Sequence, residues 1–341
     1  MVSTTPSTTL NSVENLSNMM WGFRSTQAIY VVSKLGVPDL LKKDGSMKAE
    51  EIAQKLGVNP KSLYRVMRAL ASAGVFTQDI DDRFGLTPIS DLLRSDVVDS
   101  MRPFAVLLGE EHYRGMGDLL YAVKTGQTSF DHIYGMGLFE YLSCHPEANA
   151  TFNAAMHGSG TEWTDLPKFY EFDSHETIVD IGGGKGALIT AILKANPQMH
   201  GVLYDLPHVL TESEAFLKTE GVLKRCKIIG GNALVSVPSG GDLYVISAVL
   251  HAFQDDKALK ILDNCRSSIP PNGKLLIIEH VLPEGDVPYE GKMFDLLMLS
   301  VSGGMERTRR EWKDLLSKSR FELRRVIETT LGVSLIEAEP A

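Results

Sequence analysis

From about Leu16 to Leu41 apolar residues return at helical spacing, with Met20, Phe23, Ala28, Val31, Val32 and Leu35 on one side of the turn. Gly36-Val-Pro38 breaks that period. Residues 1–12 are rich in Ser, Thr and Asn and read as a frayed tail. A helix is expected around Glu50–Leu56, capped by Gly57, and another opens at Asn59 or Pro60 and runs through Ala73. Val75–Thr77 and Phe84–Leu86, with Asp79-Ile-Asp-Asp82 between them, predict a short hairpin. Two helices followed by such a hairpin make a compact winged helix.

Residues 101–170 keep a helical period but carry many aromatics and methionines: Phe104, His112, Tyr113, Met116, Tyr121, Phe139, Tyr141, Phe152, Met156 and Trp163. Most read as ordinary helix-packing residues, and some as the lining of a cavity for a flat apolar ligand. Beyond them the period changes. Thr177–Ile181, Val202–Tyr204, Lys227–Ile229, Leu243–Ser247 and Lys274–Val281 are short apolar runs separated by helical stretches. That alternation predicts an α/β unit, a parallel sheet with helices on both faces. Phe321–Ile327 and Ser334–Ala338 are two further strands, placed to close the sheet as an antiparallel hairpin.

Composition narrows the function classes. A chain of 341 residues, 43% of them hydrophobic, has room for about two domains with buried cores. The formal charge of −9 argues against a surface built for polyanions. The winged-helix region tests this locally: residues 11–100 hold eleven basic and eleven acidic side chains, with Asp79, Asp81 and Asp82 where a phosphate-contacting wing needs cations. Protein–protein contact is the better expectation. No apolar run is long enough for a membrane span, and Met1-Val-Ser-Thr-Thr-Pro has no signal-peptide pattern. Cys144, Cys226 and Cys265 are far apart and in no Cys-x-x-Cys spacing, so neither a disulfide framework nor a zinc site is expected, and a reducing cytoplasm fits.

The strongest chemical signal is Val179-Asp-Ile-Gly-Gly-Gly-Lys-Gly-Ala187, running from a strand through a glycine turn into the helix Ala187–Ala195. Gly182, Gly184 and Gly186 allow a tight turn and close approach of a ligand, and the helix N-terminus behind them favours an anionic group. About 20 residues beyond Gly186 a strand ends in Asp205, whose carboxylate can accept both hydroxyls of a ribose. A nucleoside cofactor follows. Gly182-x-Gly184-x-x-Ala187 also satisfies the dinucleotide fingerprint, whereas Asp180 suits the orientation of a cationic amino group. The second signal is an apolar strand leading into His251, with Glu279 ending the next strand and Glu306 following Ser302-Gly-Gly-Met. A carboxylate closing a buried strand calls for a partner, and a His–carboxylate pair is one explanation.

At these residues the chain resembles the S-adenosylmethionine-dependent O-methyltransferases of the caffeic acid, flavonoid and bacterial small-molecule type. The resemblance covers nearly the whole chain and rests on the glycine turn, Tyr204-Asp-Leu-Pro207, Leu250-His251, Leu275-Leu-Ile-Ile-Glu-His-Val-Leu-Pro283 and Gly303-Gly-Met-Glu-Arg-Thr308. It implies a class I methyltransferase (Rossmann-like) domain over residues 171–341, a helical linker contributing to the substrate pocket over 101–170, and a winged-helix dimerisation domain over 1–100. It also implies a homodimer, S-adenosylmethionine as cofactor, no metal, and a small hydroxylated aromatic substrate. By that likeness Asp180, Gly182, Gly184, Asp205, Leu206, Asn232, Ala233, Ser247 and Phe253 face the cofactor. His251 is the implied general base flanked by Glu279 and Glu306, and Phe152, Met156, Met298 and Ser302 shape the acceptor pocket. The chain departs from the plant pattern at Asn232, where an Asp is common, and at Ala233, Ser247 and Ala252. Other readings are N-methylation of a heteroaromatic, a nicotinamide-dependent oxidoreductase using the same glycine turn, and a winged-helix regulator with a degenerate body.

Overall fold

The computed structural model describes residues 8–98, 100–158 and 161–341. The chain divides into two compact units, with the boundary between Tyr113 and Arg114.

In the first unit the helical stretch expected over Leu16–Leu41 is three helices, Thr8–Met20, Phe23–Lys34 and Val37–Asp44. Gly36 takes φ 71°, and Pro38 sits in the first turn of the third helix, where its missing N–H has no intrahelical partner to lose. Gly36-Val-Pro38 therefore restarts the helix as well as breaking it. The frayed-tail reading is corrected over residues 8–12, which begin the first helix, and residues 1–7 lie outside the described residues. The helix pair Ala49–Leu56 and Pro60–Ser72 forms as expected. Gly57 closes the first at φ 67°, and Asn59 accepts the Ser62 N–H to cap the second. Strands β1 (Met47–Lys48), β2 (Phe76–Gln78) and β3 (Arg83–Leu86) pair antiparallel in the order β1-β3-β2. The acidic hairpin tip has a local cause: Asp79 Oδ1 accepts the N–H groups of Asp81 and Arg83, and Asp82 takes φ 60°. Val32, Val37, Ile52, Met67, Phe76 and Phe84 form the core of this unit.

The second unit is built on β4 (Thr177–Ile181), β5 (His200–Asp205), β6 (Cys226–Gly230), β7 (Leu243–Ser247), β8 (Lys274–Glu279), β9 (Val281–Leu282), β10 (Arg307–Thr308), β11 (Phe321–Glu328) and β12 (Ser334–Pro340). Seven of these make one sheet in the order β11-β12-β8-β7-β4-β5-β6. The run from β8 to β6 is parallel, and β12 lies antiparallel to both β8 and β11. Alternate residues separate cleanly by face. Val179, Ile181, Tyr244, Ile246, Leu275 and Ile277 pack with Ile261, Leu262 and Trp312 on one side. Ile178, Leu203, Leu243, Val245, Leu276 and Ile278 pack with Ile189, Ile192 and Leu193 on the other. Burial on both faces explains the uninterrupted apolar runs of these strands.

The strand expected over Lys274–Val281 ends at Glu279. Its neighbour β7 turns away at Ala248, a non-glycine residue at φ 51°, whose N–H makes a last bond to the Ile278 carbonyl. Beyond it β9 leaves the sheet and pairs parallel with β10, Val281 opposite Arg307. Parallel strands leave in opposite directions from the adjacent β4 and β7, so the sheet has its topological switch point, and hence its ligand crevice, at their carboxyl ends.

Candidate active site

Register places the predicted residues along one edge. Ile181 is level with Tyr204 and Ile246, and Tyr204 with Ile229, so Gly182, Asp205, Gly230 and Ser247 are the next positions on four adjacent strands. At the turn after β4, Gly182, Gly184 and Gly186 take φ of 71°, 58° and 101°. A Cβ on Gly182 would come 2.4 Å from Val249 Cγ2, and one on Gly183 would come 2.5 Å from Asp180 Oδ2. At Gly184 it would meet nothing within 4 Å, so close packing beneath the turn gives way to open space above it.

Asp205 holds the turn from the side. Its Oδ2 accepts the Gly184 N–H at 2.8 Å and its Oδ1 the Leu206 N–H at 2.6 Å. Burial raises its proton affinity, opposed by these two bonds. Each oxygen keeps a second lone pair, a donor–acceptor match for a vicinal diol. Asp180 is fully buried under Gly183, and neither carboxylate oxygen has a hydrogen-bond partner. Burial, reinforced by the charge of Asp205, pushes its pKa up to about 7. A buried carboxyl of this kind is expensive until a cationic or donor group answers it. Diol acceptor, open glycine turn and orphaned carboxylate together fit a nucleoside that carries an ammonium group. Asn232 is exposed just after β6, its Oδ1 accepting the Leu234 N–H and keeping one lone pair free. Ala233 packs against the core, and Ser247 Oγ is buried without a partner.

Gly182 abuts Val249, so the glycine turn adjoins the turn that carries His251. There His251 Nδ1 lies 2.7 Å from Glu306 Oε1 and 3.3 Å from Glu279 Oε2. A carboxylate can only accept, so Nδ1 carries the hydrogen and Nε2 is left as the basic nitrogen. Glu279 Oε1 accepts the N–H groups of Val249, Leu250 and His251 at 3.1, 3.0 and 3.3 Å. The three side chains the sequence singled out at separations of 28 and 27 positions thus meet at one point, both carboxylates buried. Burial disfavours the charged imidazole, but the charge of Glu279 and the hydrogen bond and charge of Glu306 outweigh it and push His251 up to about 9. Burial, with help from the charge of Glu306 and opposition from His251, pushes Glu279 up to about 7.

Several residues of this centre had been given no role of their own. Gly304 is required where the strap before Glu306 crosses the His251 turn, since a Cβ there would sit 1.9 Å from the His251 carbonyl oxygen. Asp295 Oδ1 accepts the Glu306 N–H at 2.7 Å, and Arg307 is buried beside them. Only the Gly-Gly pair hinted at such a crossing. The aromatic wall is Phe139, which stands 6.0 Å from Phe253 and 6.4 Å, edge to face, from Phe152. Met156 is exposed. Met298 and Ser302 bound a π-helical turn, Ser302 Oγ donating to the Met298 carbonyl. Such single-turn π segments gather at functional sites.

Comparison with known proteins identifies the family. The family model for an O-methyltransferase domain matches residues 116–322, and that for an O-methyltransferase dimerisation domain matches residues 17–96. The chain is 44% identical over 326 residues to the phenazine O-methyltransferase of Lysobacter antibioticus, covering 95% of each. The solved structure of the mitomycin 7-O-methyltransferase MmcR superposes with a TM-score of 0.91 at 32% identity, over 97% of this chain and 98% of that one. An O-methyltransferase from neocarzinostatin biosynthesis, solved with S-adenosylhomocysteine and 1,4-dihydroxy-2-naphthoic acid, superposes with a TM-score of 0.85 at 28% identity, over 95% and 98%.

Proposed function

This chain belongs to the O-methyltransferase family and takes its methyl group from S-adenosylmethionine, and from that premise we propose that it methylates a hydroxyl of a small planar aromatic acceptor with His251 as general base. The cofactor sets aside the nicotinamide reading of the glycine turn. When bound, it supplies an electrophilic methyl group on a sulfonium. Asp205 would hold its ribose hydroxyls, and Asp180 with the turn of Gly182 and Gly184 its amino-acid end. Leu206, Asn232, Ala233, Ser247 and Phe253 would enclose the remainder.

The observation that carries the proposal is the 2.7 Å contact between His251 Nδ1 and Glu306, which fixes the tautomer and leaves Nε2 to take a proton. A phenol titrates near ~10, so proton transfer to a ring poised at about 9 is uphill by about one unit, or ~1.4 kcal/mol. Free imidazole at ~6.5 would face roughly 5 kcal/mol. The carboxylates therefore make His251 a base matched to a phenol, while its proton occupancy at neutral pH rises in exchange. Phe139 and Phe152 offer flat faces to an acceptor beside Phe253 of the cofactor site, with Met156, Met298 and Ser302 as its further neighbours, and the phenazine and naphthoic acid relatives are in keeping with a fused ring system.

The dimerisation domain supports a homodimer. We assign its contact to the apolar side of the first helices, where Val13, Leu16, Met19, Trp21 and Phe23 are exposed. Dimerisation up to about residue 100, acceptor-pocket helices over 101–170 and catalysis from 171 onward are the division of labour this reading assigns. The acidic hairpin speaks against a nucleic-acid partner. No helix among the described residues is long and apolar enough to cross a membrane. The free thiols Cys144, Cys226 and Cys265 accord with a cytoplasmic location.

Replacing His251 with Ala tests the mechanism. Turnover on a phenolic acceptor is expected to fall ~10²–10⁴-fold while S-adenosylhomocysteine binding, read by calorimetry, stays near wild type. An unchanged rate would remove His251 from the chemistry and favour a ring-nitrogen acceptor, which has no proton to surrender.

A further inference from the structure

We propose that Arg307 is a positioning residue for methyl transfer, its guanidinium clamping the backbone on both sides of His251 so that the ring is held where it meets the acceptor hydroxyl. This rests on the reading of His251 as the base. The side chain is 1% exposed, and all five of its N–H groups are used. Nη1 donates to the carbonyls of Leu250 at 3.2 Å and Met305 at 3.3 Å. Nη2 donates to the Phe253 carbonyl at 3.0 Å, and Nη2 and Nε both reach Asp255 Oδ1, at 3.0 and 3.2 Å.

The grip is two-sided. Glu279 takes the N–H groups of the His251 turn, as described above, and Arg307 takes its carbonyls on either side of the ring-bearing residue. The β9–β10 bridge places Arg307 opposite Val281, two residues beyond Glu279, so one short pairing seats both halves of the clamp. Met305, immediately before Glu306, accepts from the same guanidinium and donates its own N–H to the His251 carbonyl at 2.8 Å. The strap carrying Glu306 and the turn carrying His251 are thereby locked at one register.

Lysine cannot reproduce this, having a single nitrogen where a planar fork serves three carbonyls and a carboxylate. The guanidinium lies 5.3 Å from the centre of the Trp312 ring, and Asp255, with which it is ion-paired, is half exposed to solvent. So deep a cation is weak evidence for stability by itself, whereas its choice of partners points to alignment. The charged groups around His251 are Glu279 on β8, Glu306 on the strap, Asp295 on the helix Glu290–Leu297, and Arg307 with Asp255 behind the turn.

The test compares Arg307→Lys and Arg307→Met in the full-length enzyme. A misplacement near 1 Å costs about 100-fold in rate, so kcat is expected to fall about 100-fold in the Met variant and roughly 10-fold in the Lys variant. Acceptor KM and S-adenosylhomocysteine affinity should stay within about 3-fold. In the Lys variant, ring-nitrogen NMR of His251 should show a displaced titration and weakened Nδ1–H bond. Unchanged kcat in the Lys variant, or a fall in kcat that only mirrors a lost fraction of cofactor-binding protein, overturns the proposal; so does an unmoved ring signal. Should the Met variant not fold, the Lys variant decides alone. Failure of the general-base reading is separable, because it would show as full activity in His251→Ala, whereas the ring signal reports the clamp whatever the rate.

Discussion

Replacing Glu306 with Gln removes one charge from the His251 centre while keeping an acceptor for the Nδ1–H at 2.7 Å. The tautomer should survive, so the change isolates electrostatics from geometry. A hydrogen bond to a charged group exceeds a neutral one by about 1.5 kcal/mol, equivalent to roughly one pH unit. His251, pushed up to about 9 in the native protein, should therefore titrate near ~8 in the variant. The sign matters, because a raised histidine holds its proton below its pKa and acts as a base only above it. At pH 7 the wild-type ring is free in about 1% of molecules and the variant ring in about 10%. Against this, a base weaker by one unit loses roughly 3-fold in rate per free ring, if half of the proton transfer is complete in the transition state. The two profiles should cross: the variant about 3-fold faster near pH 7 and about 3-fold slower near pH 10. Initial kcat/KM over this range, with an acceptor hydroxyl that titrates near ~10 or above, reports the free enzyme and makes the comparison direct. A wild-type break near ~6.5, or two profiles breaking at the same pH, would refute the argument.

Other perturbations address separate parts of the molecule. Gly304→Ala drives a methyl group to within 1.9 Å of the His251 carbonyl oxygen, a backbone atom that cannot swing aside. Strain of about 1–3 kcal/mol or more is expected, seen as a lower melting temperature together with lost activity, and a wild-type melting curve would count against the crossing. Asp205→Ala takes away the acceptor shared by the Gly184 and Leu206 N–H groups, and cofactor affinity in calorimetry should fall at least about 10-fold with the fold retained. Met19→Asp places a charge on the exposed apolar face of the first helix. Sedimentation should then show a shift from dimer towards monomer, and an unshifted dimer would move the contact elsewhere.

Much of the fold was readable in the order of residues. Runs such as Leu243–Ile246 are buried without a break, which only a strand covered on both faces requires, and the helix Ala187–Ala195 has the bounds expected of it. The paired helices of the first unit were marked by Gly57, Asn59 and Pro60, because caps are local chemistry. The first helices were less legible. A periodic run does not say how many helices share it: Gly36-Val-Pro38 marked one break, but the other, between Met20 and Phe23, shows only in the structure.

Which side chains could do chemistry was legible in the order of residues: a glycine turn after a strand, an aspartate at the end of the next, and a histidine and two glutamates beyond. Local rules suffice for these, since turn, cap and strand period extend over only a few residues. That His251 Nδ1 lies 2.7 Å from Glu306, that Glu279 grips the backbone of the same turn, and that Arg307 answers it from behind were decided by tertiary structure alone. Each of these contacts spans at least 28 positions of chain and depends on strand order, on the departure of β7 at Ala248 and on the β9–β10 bridge. Proton affinity followed the same course. Three residues with ordinary reference values became a matched base only when the fold buried them together, because burial and neighbouring charge are properties of a place and not of a residue.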